Sequence, residues 1–354
     1  MEVYLIMKIL KYMLIFIPIS LIAKFLNASG TVMFILACLS IIPLAGLIGE
    51  GTEEVSFYSG PKVGGFLNAT FGNATELIIS FFALKEGLFE VVKSSIAGAV
   101  IGNILLVVGA SMLFGGLKYK TQKFNKKVVE VSSSMLLFAV IGLCIPALFT
   151  HTVSTDLLNT RYEGLSVFVA VIMIIIYALN LYFSFSTHKD IYNTEEEEQE
   201  GTAKWSLKKA VAILVVSTVL IAIESEFLVN GIEPITESLG WSKFFVGIIL
   251  IPIVGNAAEH TTAIVMARKD KMDVSLEIAI GSSLQIILFV APVLIFISLF
   301  FKPMSIVFNP FELIALIASV LIANRVSQDG ESNWLEGIQL IAVYLIIAAS
   351  FFIL

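Results

Sequence analysis

The chain has 354 residues, 58% of them hydrophobic and only 14% charged, with a mean hydropathy of +0.95. A soluble domain carries about 25% charged residues, so most of this chain has lipid rather than water as its solvent. A net charge of -6 argues against nucleic-acid binding, which wants a basic face, and Cys38 and Cys144, both in apolar segments, argue against a disulfide framework.

Spanning a bilayer takes about 20 apolar residues. In chain order the apolar runs are Leu5–Leu26, Thr31–Gly49, Phe66–Leu84, Ser95–Phe114, Val131–Thr150, Gly164–Phe185, Leu207–Val229, Phe244–Ala267, Val274–Phe300, Pro310–Val326 and Trp334–Leu354. They predict an all-α integral membrane protein of about 11 transmembrane helices. Lys8 and Lys11 before Met13–Ala23 imitate a signal peptide, but no convincing small-residue cleavage site follows, so residues 1–27 read as an uncleaved first helix.

Positively charged loops stay in the cytoplasm. With the amino terminus inside, cytoplasmic loops hold Lys62, Lys118, Lys120, Lys123, Lys126, Lys127, Lys189, Lys204, Lys208, Lys209, Arg268, Lys269, Lys271 and Arg325. The outer side keeps only Lys24, Lys85, Lys93, Arg161, Lys243 and Lys302. The same count puts the carboxyl terminus outside. The short loops suggest a prokaryotic inner (cell) membrane.

After the first helix, residues 31–185 and 207–354 each hold five predicted spans. An odd repeat length inverts the second copy relative to the first. The second span of each copy carries a similar motif, Gly72-Asn73-Ala74-Thr75-Glu76 and Gly255-Asn256-Ala257-Ala258-Glu259-His260. The next span carries a small-residue patch in each copy, Ala97–Asn103 and Ala279–Ser283, and the preceding span ends in Thr52-Glu53 or Ser225-Glu226. Residues 186–206 join the halves and contain Glu195-Glu196-Glu197-Glu198-Gln199-Glu200, which reads as a solvated acidic linker on the cytoplasmic side.

An ionisable residue at membrane depth is costly and usually faces an internal site. Asn73 and Glu76 are three residues apart, as are Asn256 and Glu259, so each pair shares a helix face. The Gly before each Asn permits a broken turn. Together the motifs offer two carboxylates and two amides, hard oxygen donors suited to Ca2+, which takes six to eight oxygens. No Cys or His cluster points to zinc or copper. Glu also titrates, so Glu76 and Glu259 can hold protons or a divalent ion but not both, which is a basis for antiport. His260 adds a second proton-active group, but it points about 100° from Glu259 on a regular helix, so packing or gating is as good a reading as proton transfer. Asn103, taken as the counterpart of Ser282, together with Ser282, Ser283 and Gln285, can complete the shell, orient the carboxylates or join helices. His151 and His188 lie near span ends and look incidental. No nucleophile–base pair or resident-metal motif suggests an enzyme, and no cofactor is expected beyond the transported ions.

These residues in this order resemble the cation/proton exchanger family, a branch of the calcium/cation antiporter superfamily. The resemblance rests on Gly64-Gly65-Phe66-Leu67-Asn68-Ala69-Thr70-Phe71-Gly72-Asn73-Ala74-Thr75-Glu76-Leu77, on Gly255–His260 and on Gly281-Ser282-Ser283-Leu284-Gln285. It implies eleven helices, exchange of cytoplasmic Ca2+ for external H+, essential roles for Glu76 and Glu259, and pathway roles for Glu53 and Glu226. Known members point to a homotrimer, on which nothing else in the sequence bears. The alternative is a Na+/Ca2+ exchanger of the same superfamily. Those relatives typically carry Gly-Thr-Ser-x-Pro-Glu and an extra intramembrane Asp, where this chain has Asn.

Overall fold

The computed structural model describes residues 9–59, 61–149, 158–188, 191 and 203–353. The run Glu195–Glu200, His151, Lys189 and residues 1–8 of the expected first helix lie outside them. The described chain is mostly helical. Its helices are α1 (Phe16–Phe25), α2 (Gly30–Ser59), α3 (Pro61–Phe71), α4 (Ala74–Lys85), α5 (Phe89–Tyr119), α6 (Lys126–Phe149), α7 (Leu158–Tyr182), α8 (Leu207–Leu239), α9 (Lys243–Gly255), α10 (Ala257–Ala267), α11 (Met272–Ser298), α12 (Pro310–Val326) and α13 (Trp334–Ile353).

Among the described residues seven helices are long and apolar enough to cross a membrane, or eight if α9 and α10 make one bent span. The other expected spans appear as the short helix α1, the broken pair α3 and α4, and the 17-residue α12. A break or a short helix lowers a length-based count without removing apolar chain from the bundle.

Helices α2 and α8 have 30 and 33 residues, or about 45–50 Å at 1.5 Å per residue. Gly30 lies against Pro234 near one end and Gly51 against Leu214 near the other, so the two helices run antiparallel along their lengths. Local signals set the limits of α8. The Ser206 hydroxyl accepts from Lys209 N at its start, and Gly240 ends it at φ +68°, a left-handed backbone that suits glycine. Helices α5 and α11 also cross in opposite senses, the first half of α5 meeting the second half of α11. Both contain a π-helical stretch, Gly102–Val107 in α5 and Ile286–Val290 in α11. Such bulges recur at functional sites. By that landmark Gln285 lies nearer than Ser282 to the counterpart of Asn103.

The all-α expectation needs one correction. Thr121–Lys123 (β1) and Glu331–Asn333 (β2) pair as an antiparallel ribbon, with Gln122 opposite Ser332. Three-residue strands are too short to register as a periodic pattern. The ribbon region holds the far end of α10. Gln122 Nε2 donates to Ala267 O and to Asp270 Oδ1, both at 2.8 Å, and Lys118 Nζ donates to Arg268 O at 2.8 Å.

Candidate functional site

Both motif helices break where the glycine–asparagine pairs stand. α3 ends at Phe71 and α4 begins at Ala74, with Asn73 between them at φ -99° and ψ 23°. α9 ends at Gly255 and α10 begins at Ala257, with Asn256 at φ -94° and ψ 7°, and the axis bends by 60°. Each Asn occupies the N-cap position, yet neither caps its helix through its side chain. The amides are used elsewhere. Glu76 and Glu259 both fall in the first turn of the helix that follows, where unpaired N–H groups and the helix dipole favour negative charge.

The two motifs cross over. A Cβ added to Gly255 would lie 3.1 Å from Glu76 Oε1, and one added to Gly72 would lie 3.5 Å from Glu259 Oε1. Each carboxylate therefore rests against the glycine of the other motif, and the two are close enough to repel when both are ionised. Among the described residues, Glu76 Oε2, Glu259 Oε2 and Asn256 Oδ1 are buried with no hydrogen-bond partner. Such orphaned oxygens are uncommon in a folded protein and call for an explanation.

A directed chain of hydrogen bonds closes one side of this centre. His260 Nε2 and Asn103 Oδ1 are 2.9 Å apart, and since the amide oxygen only accepts, His260 donates. Asn103 Nδ2 donates to Ser282 Oγ at 3.1 Å, and Ser282 Oγ donates to Asn73 Oδ1 at 3.0 Å. Asn73 Nδ2 donates to Gln285 Oε1 at 2.5 Å. Four helices are joined through side chains more than 150 residues apart in sequence. The two asparagines differ in consequence. Asn73 has its amide oxygen occupied, whereas Asn256 donates to Pro252 O at 3.0 Å and leaves its oxygen free. On the other side, a narrow cleft lined by Glu76, Ser80, Ser95, Ile96, Ile251 and Gly255 adjoins the carboxylate.

Glu76, Glu259, Asn73, Asn103, Ser282, Gln285 and His260 thus come together as one neighbourhood, with Asn256 beside Glu259 at the second break. Ser283 does not join the network; its hydroxyl bonds Ala279 O in its own helix. Glu53 and Glu226 are exposed, away from this network. The buried acids on the same helices are Glu54, 4% exposed, and Glu224, 1% exposed, which sequence reasoning passed over. Their signal was the close acidic pairs, Glu53 with Glu54 and Glu224 with Glu226, where only helix rotation decides which member faces inward. Among the described residues no cluster of three or more His, Cys, Asp or Glu side chains forms a metal cage, so any cation here relies on amide oxygens and water as well as two carboxylates.

The family model described as "Sodium/calcium exchanger protein" matches residues 29–186 and 209–353. The Ca(2+)/H(+) antiporter of Aphanothece halophytica is 49% identical over 96% of this chain and 95% of its own. The Ca(2+)/H(+) antiporter ChaA of Bacillus subtilis (strain 168) is 46% identical over 96% of this chain and 97% of its own. Among solved structures, native YfkE superposes with a TM-score of 0.85 at 42% identity, covering 98% of this chain and all of the other. The H+/Ca2+ exchanger CAX superposes with a TM-score of 0.75, covering 97% of this chain and 91% of the other, and at 17% identity it speaks for the fold alone.

Proposed function

Since the chain belongs to the sodium/calcium exchanger family, we propose that it is a secondary antiporter that exchanges cytoplasmic Ca2+ for external H+, as the names of its antiporter relatives suggest. Glu76 and Glu259 form one shared site that holds Ca2+ or protons in turn. Asn256 and, once released from Ser282, Asn73 add amide oxygens. The observation that carries this reading is the set of three orphaned oxygens, Glu76 Oε2, Glu259 Oε2 and Asn256 Oδ1, buried where two helix breaks cross. Ca2+ takes six to eight oxygens, so water and backbone carbonyls complete the shell.

Charge supplies the coupling. Two carboxylates loaded with Ca2+, or with protons, carry no net charge. Emptied, they place two negative charges at membrane depth, which costs several kcal/mol per ion. The loaded forms are therefore the ones that cross between the two faces, and exchange is favoured over leak. Asn103, Ser282, Gln285 and His260 hold the site in register; the bond from His260 to Asn103 favours positioning over direct proton transfer for that residue. Glu53 and Glu226, both exposed, serve the approach to the site. The halves 31–185 and 207–354 act as inverted repeats that rock about it, a reading supported by the antiparallel packing of α2 on α8. The amino terminus is cytoplasmic and the carboxyl terminus external.

Ca2+ flux into proteoliposomes of the purified protein, under an imposed pH gradient with and without Na+, tests this. Uphill Ca2+ movement driven by the proton gradient without Na+ is expected. Flux driven by Na+ and indifferent to the pH gradient would favour Na+/Ca2+ exchange, and purely downhill flux would indicate a channel.

A further inference from the structure

A second buried carboxyl lies outside this site. Glu224, on α8, is 1% exposed, and its Oε2 is buried without a partner. Its Oε1 accepts from the hydroxyl of Ser20 on α1. Ser40 on α2 lies close to the carboxyl but keeps its hydroxyl on Leu36 O. The group therefore sits in the seam where α1 docks on α2 and α8. One turn from Glu224, Ile221 packs with Ile17 of α1, Leu44 and Ile48 of α2, and Ala74 at the start of α4, in a cluster separate from the main core. Ala74 is the residue after Asn73 in the first helix break.

The hydrogens in this seam can be counted. Ser20 Oγ also bonds Ile17 O at 2.7 Å, and Ser40 Oγ bonds Leu36 O at 2.9 Å. Each hydroxyl has one proton and two acceptors. If Glu224 is ionised, the Ser20 proton must turn to it, Oε2 still has no donor, and among the described residues no cation touches the buried charge. If Glu224 carries a proton, it donates to one hydroxyl oxygen and both serine protons stay on their carbonyls. The protonated form leaves fewer hydrogen bonds unmet and no buried charge while the seam is closed. The charged groups nearby do not alter this balance. Lys24, on α1, lies 5.4 Å over the ring of Phe227, one turn from Glu224. α2 has no charged residue between Thr31 and Gly49. On α8, Glu226 is exposed. The ionisable residues of α4, Glu76, and Lys85 lie at its two ends.

We propose that Glu224 is a second proton-binding site, distinct from the Glu76–Glu259 pair, which keeps its proton while α1 is docked and releases it when the seam between α1, α2 and α8 parts and admits water. The ligand is the proton itself. Glu224 and Ser20 are in direct contact, leaving no gap for a metal ion between them. Docking of α1 is therefore strongest at low pH and weakens as pH rises.

The test uses the full chain with Cys38→Ala and Cys144→Ala, and Ile17→Cys as a thiol reporter in the seam. Maleimide labelling is followed from pH 5 to 9, each rate divided by that of the unfolded chain at the same pH. The normalised rate is expected to rise with pH, by up to about tenfold per unit, the limit for one released proton. Glu224→Gln should give slow labelling that does not vary with pH, because an amide keeps the bond to Ser20 and cannot ionise. The rise should persist in Glu76→Gln/Glu259→Gln, which separates this site from the exchange site. A pH-flat parent, a parent responding to Na+ instead of pH, an unaltered rise in Glu224→Gln, or loss of the rise in Glu76→Gln/Glu259→Gln would each overturn the proposal.

Discussion

Replacing Gly255 by Ala should damage ion binding while sparing the fold. The added Cβ would stand 3.1 Å from Glu76 Oε1, 3.6 Å from its Cδ and 3.7 Å from its Cγ, and these are its three nearest atoms. Only the end of a flexible side chain must give way, by about 0.3 Å to reach ordinary contact at about 3.4 Å. Alanine also favours helix over glycine by about 1 kcal/mol, so thermal stability in detergent should change by no more than about 1 kcal/mol. Binding is less tolerant. Ca2+–oxygen distances span only about 2.3–2.6 Å, so a shift of about 0.3 Å uses the whole range. Weakening one ligand in this way should raise the KM for Ca2+ about tenfold, equivalent to about 1.4 kcal/mol. The assay is pH-gradient-driven Ca2+ uptake in proteoliposomes across a range of Ca2+ concentrations, with melting followed on the same sample. A folded Gly255→Ala protein with an unchanged KM would refute the placement of Glu76 against Gly255 in the ion-binding state.

Glu76→Gln and Glu259→Gln should each abolish Ca2+ uptake, at least about a hundredfold, with retained folding, because each removes one of two charges from a divalent-ion site; near-normal flux in either variant would end the shared-site reading. Apparent Ca2+ affinity should fall as pH drops, since protons occupy the same carboxylates, and the pair should titrate as a unit; isothermal titration from pH 5 to 9 in Na+-free buffer measures this, and a flat profile with Na+-driven flux contradicts it. Gly98→Ala provides the opposite case to Gly255→Ala. Its Cβ would lie 1.9 Å from Ile248 O and 2.6 Å from Ile248 C, which are backbone atoms, so the helices must separate and stability should fall by about 3 kcal/mol, read as a lowered melting temperature. Single cysteines at Lys123 and Lys302, both exposed, should label from opposite sides of the membrane, and labelling of both from one side would break the proposed topology.

Much of this protein was legible along the chain. Hydropathy marked the apolar segments because lipid demands long apolar runs from each helix separately. Gly72-Asn73 and Gly255-Asn256 marked the helix breaks because loosening a turn is a local property of glycine and asparagine. The spacing of Asn73 to Glu76, and of Asn256 to Glu259, reads as one helix face, but each Asn stands at the break before its helix, so packing decided where its amide turns. Other features depended on tertiary structure. Residues one or two apart on a helix point about 100° or 160° from each other, so only packing decided that Glu54 and Glu224 turn inward while Glu53 and Glu226 stay exposed. Which glutamate meets which glycine, that His260 reaches Asn103, and that β1 finds β2 were decided the same way. Each of these joins residues far apart in sequence, and their proximity arises from how the helices cross, which no local pattern encodes.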